Sequence, residues 1–335
     1  MTEAEYLDLF RSEVPHLRAW GELIVSEINS AIIEKHGQTA YEHWIKIPPK
    51  VRIKEESSLI AKAFILNKGW FSDIYNDIAD KVGVRYVVGL TDQISTLAQI
   101  IESSDRWSNS SSKEFDEWKR TDPRIFDYQS AHFILTSIEP TNHGGIDIPT
   151  GTKCEIQIRT LLQHAYAELS HDTLYKSNVT SEPEVHRLFA KSMALMETTD
   201  DMLLRAKTSS LAALTNLEQI KKQLSSANIK HLTNIEFSNK PRENDYLIDQ
   251  LRPLIDEKFP EELDAFLSKY SGSISDSISK RRELQPHYEL EAITLVYYIA
   301  KRYRTSLPKY WPFDRAILDG VYSDLGIAPP RSRDY

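Results

Sequence analysis

The 335-residue sequence predicts an α/β (α+β) core at about residues 46–180, with helices in front of it and a mainly helical domain behind. Three observations carry this expectation. Strand-like and helix-like spacing of apolar residues alternates through the middle of the chain. The alternating segment Lys153–Arg159 feeds directly into a helix-start signal at Thr160. Beyond Pro183, mainly helical spacing recurs.

Taken in order, Leu7, Phe10, Val14, Leu17, Trp20 and Ile24 recur at helical spacing, so residues 1–45 read as helical, and Pro48-Pro49 closes that region. A helix follows at about Ser57–Asn67, with Leu59, Ile60, Ala63, Phe64 and Leu66 as its apolar positions. Val84–Leu90 is a β-branched run bounded by glycines and reads as a buried strand. Thr91–Ser103 returns to a helical period. The serine run Ser108–Ser112 lies between Arg106 and the acidic Glu114–Glu117, and reads as a flexible surface loop. Phe133–Ile138 is a second strand. In the third, Lys153–Arg159, Cys154, Ile156 and Ile158 face one way and Glu155, Gln157 and Arg159 the other. Thr160 and Gln163 then form a T-x-x-Q capping box. Later helices are expected at Val185–Leu224, Asp245–Phe259, Glu262–Lys269 and Glu289–Arg304. The last should be amphipathic, with Leu290, Ile293, Val296 and Tyr297 inward. The polar stretch Ser225–Lys240 is the expected boundary.

Composition limits the function. Hydrophobic residues make up 41% and charged residues 27%, which excludes a mostly disordered or fibrous chain. No segment approaches the roughly 20 apolar residues of a membrane span. The opening MTEAEYLDLF is acidic and lacks the basic and apolar regions of a secretory signal. The single cysteine, Cys154, excludes an internal disulfide and a multi-cysteine zinc site. A cytoplasmic protein is therefore expected. The net charge of −8 argues against broad, non-specific nucleic-acid binding but leaves room for a local basic site.

Four segments could carry chemistry. The first is basic: Lys46, Lys50, Arg52, Lys54, Lys62 and Lys68 stand against Glu55 and Glu56. Arg52 and Lys54 share a face if extended, and Ser58 opens a helix with Lys62 one turn on. Free amides at a helix start, a hydroxyl and converging cations suit a polyphosphate; the plain alternative is a solvated cationic surface. The second is a carboxylate pair. Asp80 precedes one strand and Glu155 lies on the polar face of another, so neighbouring strands would let the two hold Mg²⁺ with phosphate oxygens and water. Their plain alternatives are a turn residue and a solvent-facing strand position. The third is Asp127–His132, where Tyr128 could stack on a base and His132 reach a phosphate; an edge tyrosine and a surface histidine are the alternative. The fourth is His171-Asp172, an "HD" pair of the kind metal phosphohydrolases use. His164, Glu168 and His171 share a helix face, but one helix without a third element is a weak metal signal, and a polar face packed near the active site is the preferred reading.

In combination these segments resemble the synthetase domain of the RelA/SpoT family, the alarmone (p)ppGpp synthetases. The match runs in order through RIKEESSLIAK at 52–62, DKVGVR at 80–85, YQSAH at 128–132 and EIQIRTLLQHAYAELSHDTLYK at 155–176. The resemblance implies a nucleotidyltransferase-like mixed sheet flanked by helices. It implies transfer of the β,γ-diphosphate of ATP to the 3′-hydroxyl of GDP or GTP, with Mg²⁺. Asp80 and Glu155 would then be the metal ligands, with Glu155 assisting deprotonation of the attacking hydroxyl. Arg52 and Arg85 would sandwich adenine, and Lys54, Ser58 and Lys62 would hold the ATP phosphates. Tyr128 would stack on guanine, with Arg124, His132, Gln157 and Arg159 on the acceptor side. The implied division is an N-terminal helical segment at 1–45, a synthetase domain at 46–204 and a helical accessory or regulatory domain at 205–335.

Two features depart from the family pattern. Asp127 stands where a glycine often precedes the stacking tyrosine, and 103–127 carries charges of both signs. The hydrolase domain of long family members is expected to be missing. The rival reading is a toxic small synthetase that modifies the tRNA 3′-CCA end or makes adenosine alarmones, its C-terminal domain acting as regulator or antitoxin. A catalytically dead nucleotide-binding regulator and a metal-dependent hydrolase come last. Expected partners are ATP and GTP/GDP, or a tRNA 3′ end, with no membrane. A regulatory protein at the C-terminal domain and a homo-oligomer are both compatible with this layout.

Overall fold

The computed structural model describes residues 1–65, 73–113, 130–170 and 183–330. The positions Lys68, Arg124, Asp127, Tyr128, His171 and Asp172 lie outside the described residues. Two compact units divide the chain, Met1–Lys207 and Thr208–Tyr335. Among the described residues, no helix is long and apolar enough to cross a membrane.

The first unit opens with a long helix, α1, Glu3–His36. Thr2 caps it through a reciprocal box in which the Glu5 amide donates to Thr2 Oγ1 at 3.3 Å and the Thr2 amide to Glu5 Oε2 at 2.7 Å. Gly37, at φ 86°, ends it in a conformation that only glycine adopts without strain. Tyr6, Phe10, Leu17, Trp20, Ile24, Ile28 and Ile32 form its buried stripe. Burying an Ile-sized side chain contributes about 1.5–3 kcal/mol. Trp20 also donates its indole N–H to the Leu135 carbonyl in the sheet, at 3.1 Å.

After helix α2, Gln38–Trp44, come short strands β1, Ile45–Ile47, and β2, Val51–Ile53. They flank Pro48-Pro49. Helix α3, Glu56–Ile60, continues as a π-helical turn, Ala61–Ile65. A single 3₁₀ turn, Ala79–Lys81, leads into β3, Val82–Val88, and then α4, Thr91–Glu102. Strands β4, Trp107–Lys113, and β5, Ala131–Ser137, are followed by a two-stranded ribbon, β6, Thr141–His143, with β7, Ile146–Ile148. Strand β8, Lys153–Thr160, runs straight into α5, Leu161–Ser170.

The main sheet has the order β1-β3-β8-β5-β4, with β2 also paired to β3. It is mixed: β3 and β8 are parallel, and the remaining pairs are antiparallel. On β8 the expected alternation holds, with Cys154, Ile156 and Ile158 all 0% exposed. The capping box also holds. The Gln163 amide donates to Thr160 Oγ1 at 3.1 Å, and the Thr160 amide donates to Gln163 Oε1 at 2.9 Å.

Three expectations are corrected. Ser108–Ser112 is no loop but the middle of edge strand β4, antiparallel to β5. Serines disfavour strands only weakly, and backbone pairing plus the buried Trp107 beside them decides the conformation. Ser225–Lys240 does not interrupt the chain as a block. Helix α6, Pro183–His231, continues through Ser225–His231 because Ile220, Leu224 and Ala227 keep a buried stripe at helical spacing. The helix expected at Glu289–Arg304 is shorter and more deeply buried than its spacing implies. In α9, Ile293–Arg302, every residue from Ile293 to Ala300 is buried, as in a central core helix.

Around α9 the second unit packs α7, Pro241–Leu251; α8, Phe259–Arg281; α10, Leu307–Tyr310; and α11, Arg315–Asp324. Helix α8 replaces the shorter expected helix at Glu262–Lys269. A polar tie crosses this core. Arg281 donates to both carboxylate oxygens of Asp324, and the Tyr297 hydroxyl donates to Asp324 Oδ2 at 2.6 Å.

Candidate active site

The parallel pairing of β3 with β8 builds the site. Gly83 sits opposite Glu155 in that register, and Arg85 opposite Gln157. Asp80 is on the turn just before β3 and Glu155 is on the polar face of β8, so the strands converge two carboxylates on one cleft. The cleft has a volume of about 440 Å³. Arg52 enters it from β2, Lys54 from the chain leading into α3 and Ser58 from α3 itself. Gln157 of β8 and His164 of α5 also line it, while Ile47, Pro48, Val84 and Val87 supply apolar surface. Lys50 adds another cation.

Both carboxylates are engaged. Asp80 Oδ2 accepts from Lys54 Nζ at 2.6 Å, and Oδ1 accepts from Lys62 Nζ at 2.9 Å. Burial pushes the Asp80 carboxyl up, but the two ammonium groups outweigh it and hold the group below the ordinary carboxylate range. Glu155 Oε1 lies 3.3 Å from His132 Nδ1, and Oε2 accepts from Gln157 Nε2 at 2.9 Å. Burial again pushes upward. Contact with His132 outweighs it, against a small opposing push from the Asp80 charge, and Glu155 too lies below its ordinary value.

Ser130 Oγ contacts His132 Nε2, so Ser130, His132 and Glu155 form a chain that superficially matches a serine nucleophile relay. Ser130 is only 2% exposed, so its hydroxyl serves to orient the histidine ring rather than to attack a substrate.

The arginines are held from α5. Glu168 Oε1 accepts from Arg85 Nη1 at 2.7 Å and from Arg159 Nη2 at 3.3 Å, and lies 3.7 Å from His164 Nδ1. Arg159 is 2% exposed, so it does not present itself on the open polar face where alternation puts it. Its alignment with Glu168 gives the reason. His164 titrates below the ordinary histidine range because it is buried and faces Arg159 and Arg85. Glu168 is therefore taken up by arginines. Among the described residues no group of three or more His, Cys, Asp or Glu is arranged to hold a metal ion.

Asp80 and Glu155 nevertheless suit Mg²⁺. Both are ionised oxygen donors, about one-fifth exposed, on a cleft rich in cations that a polyphosphate would share. Two carboxylates completed by phosphate and water oxygens is the usual Mg²⁺ arrangement.

Of the sequence-predicted residues, the cleft gathers Arg52, Lys54, Ser58, Asp80, Arg85, Glu155 and Gln157. Lys62 and His132 join through the carboxylates. Arg159 stands behind, against Glu168. Arg124 and Tyr128 are outside the described residues. Sequence reasoning missed the apolar contribution of Ile47 and Val87 and the clamp role of Glu168. Only the helix-face spacing of Glu168 with His164 signalled the latter.

Residues 51–180 match the family described as the region found in RelA / SpoT proteins. Three solved structures are similar. Small alarmone synthetase 2 from Bacillus subtilis is 21% identical, with 58% of this chain and 96% of that chain covered at a TM-score of 0.46. Small alarmone synthetase 1 from Bacillus subtilis, bound to its product pppGpp, is 18% identical over 60% of this chain and 97% of that chain, at a TM-score of 0.47. A GTP pyrophosphokinase family protein from Streptococcus pneumoniae is 18% identical over 64% and 97%, at 0.45. No curated protein matches the chain.

Proposed function

We propose that this chain, which carries the region found in RelA / SpoT proteins at residues 51–180, is an alarmone synthetase that transfers the β,γ-diphosphate of ATP to the 3′-hydroxyl of GTP or GDP. One observation carries the reading most: Asp80 and Glu155, both ionised, meet in a single cleft with Lys54 and Lys62 already on Asp80. Diphosphate transfer needs in-line positioning and neutralised charge more than covalent help.

Each residue then has a defined task. Arg52 and Arg85 offer guanidinium planes to a purine face, and Glu168 fixes the Arg85 plane in advance. Lys54, Lys62 and Ser58 bind the phosphate chain. Asp80 and Glu155 would hold Mg²⁺, which supplies charge neutralisation on the transferring group when bound. Glu155 accepts the proton of the attacking hydroxyl. The hydroxyl becomes acidic as the new O–P bond forms and the bond from the β-phosphorus to the departing AMP breaks. His132 and Gln157 belong to the acceptor side, with Arg124 and Tyr128, while the buried Arg159 braces Glu168 behind the cleft. Residues 46–204 make up the catalytic domain in this reading and 205–335 an accessory one.

The test is to incubate the full chain with γ-³²P-ATP and, separately, GTP, GDP, adenosine nucleotides and bulk tRNA. Label on guanosine nucleotides supports the proposal. Label on tRNA or adenosine nucleotides alone replaces it with the toxic-synthetase reading. No labelled product from any acceptor removes the activity.

A further inference from the structure

Lys81, next to Asp80 in the chain, is 8% exposed and is not among the residues lining the cleft. Its ammonium lies 3.4 Å from the centre of the Tyr75 ring and 3.5 Å from Glu13 Oε2 of α1. The Tyr75 hydroxyl donates to the same Glu13 oxygen. No substrate role accounts for this cluster. An apolar side chain in the Lys81 slot would be cheaper than a buried ammonium, because a buried ion pair usually repays little more than its desolvation.

We propose that Glu13 is a positioning residue for Asp80, acting through Lys81 and Tyr75; this rests on reading the cleft as the diphosphotransfer site. The backbone explains the coupling. The Lys81 carbonyl accepts the Lys54 amide at 3.0 Å, and Asp80 directly precedes Lys81. Lys81 is therefore joined by its main chain to both members of the Lys54–Asp80 ion pair. Asp80 sits at φ −94°, ψ 28°, outside helical geometry, on a turn too short to hold itself. Anchoring the Lys81 side chain fixes that turn, and with it the direction in which the Asp80 carboxylate points.

Helix α1 holds the rest of the phosphate side as well. Arg11 makes a two-pronged contact with Glu56 at the start of α3, at 2.9 and 2.7 Å. The Tyr6 ring packs edge-on against Phe64 at 5.7 Å and Tyr75 at 4.9 Å. The segments bearing Ser58, Lys62 and Asp80 thus each lean on a helix that precedes the region matched at 51–180.

The experiment compares the full chain with Glu13→Gln and with the apolar double variant Glu13→Leu/Lys81→Met. Four quantities are measured: kcat and KM for ATP, the affinity of the Mn²⁺–ATP complex by calorimetry, and Tm. Outer partners of metal ligands typically change affinity or activity by roughly 10- to 100-fold, and that range is expected here for kcat and for Mn²⁺–ATP affinity. In the double variant Tm should stay level or rise, since apolar replacement of a buried pair is often neutral or stabilising. Loss of function with stability kept is the signature of positioning. Unchanged kcat and unchanged Mn²⁺–ATP affinity in a stable double variant would overturn the proposal. If that variant does not fold, the near-isosteric Glu13→Gln decides by the same two readouts. If the wild-type chain transfers diphosphate to no acceptor, the functional reading fails separately, and Mn²⁺–ATP binding still decides the role of Glu13.

Discussion

Lys54 Nζ donates to Asp80 Oδ2 at 2.6 Å, while Lys62 Nζ donates to the other carboxylate oxygen at 2.9 Å. The carboxylate that suits a metal and the ammonium that suits a phosphate are mutual partners. In the proposed reading, substrate binding exchanges that contact for two others, one to the metal and one to the phosphate chain. Both groups are part-buried, at 23% and 19% side-chain exposure, so the charges are held in place before that exchange.

The carboxylates are the first test. Asp80→Asn and Glu155→Gln should each remove nearly all transfer while the circular-dichroism spectrum stays native. Losing a metal ligand in a site built on charge neutralisation costs several kcal/mol of transition-state stabilisation. Near-normal rates in both variants, with Mg²⁺ still required, would sink the metal assignment.

Lys54→Met removes a charged hydrogen bond worth about 1.5–3 kcal/mol, so ATP affinity should fall roughly 10- to 150-fold. Acceptor KM should barely move. Isothermal titration with a non-hydrolysable ATP analogue separates the two.

Tyr128 tests the acceptor side from a position outside the described residues. Stacking on a base is worth roughly 1–3 kcal/mol, so Tyr128→Ala should raise the acceptor KM about 5- to 150-fold. A fall in ATP binding instead would mean that the two nucleotide sites are exchanged.

Acid stability follows from the sign of the carboxylate shifts. Asp80 and Glu155 both have folded pKa values below their ordinary ones. Their contribution is present above the unfolded values, about 3.9 and 4.3, and is lost as pH falls through the folded values. Tm measured from pH 6 downward should therefore drop most steeply below about pH 4. Asp80→Asn should flatten part of that drop. An unchanged profile in the variant would show that the ion pairs with Lys54 and Lys62 do not form.

A chain ending at Lys207 contains all the described cleft residues and should retain diphosphate transfer. Higher specific activity than the full chain would assign residues 208–335 an inhibitory role. Equal activity would leave them a scaffold or oligomerisation role.

Much of this site was legible because its local rules are strong. The Thr160–Gln163 box and the alternation of Cys154, Ile156 and Ile158 follow from spacing alone. That Asp80 and Glu155 share a cleft was not legible from spacing, because the parallel pairing of β3 with β8 is a long-range fact. The serines of β4 misled for a related reason. Edge-strand pairing is imposed by β5 and leaves no mark on Ser108–Ser112 themselves. Arg159 reads as an outward residue, and its burial depends on Glu168, which only the turn from β8 into α5 brings back to it. Glu13 was invisible for the same cause, since its partners come much later in the chain.

The junction between β8 and α5 contains no spare residue: Thr160 ends the strand and caps the helix that Leu161 begins. Strand and helix therefore form a single ruler, with Glu155 near one end and Glu168 near the other. Inserting one residue after Thr160 would turn the helix by about 100°. Glu155 would keep its place beside His132, while Glu168 would swing off Arg85 and Arg159. Such an insertion would leave Glu155 in its cleft and free Arg85 from its clamp, so the length of this junction sets the spacing of the two ends of the site in a way that no single side chain does.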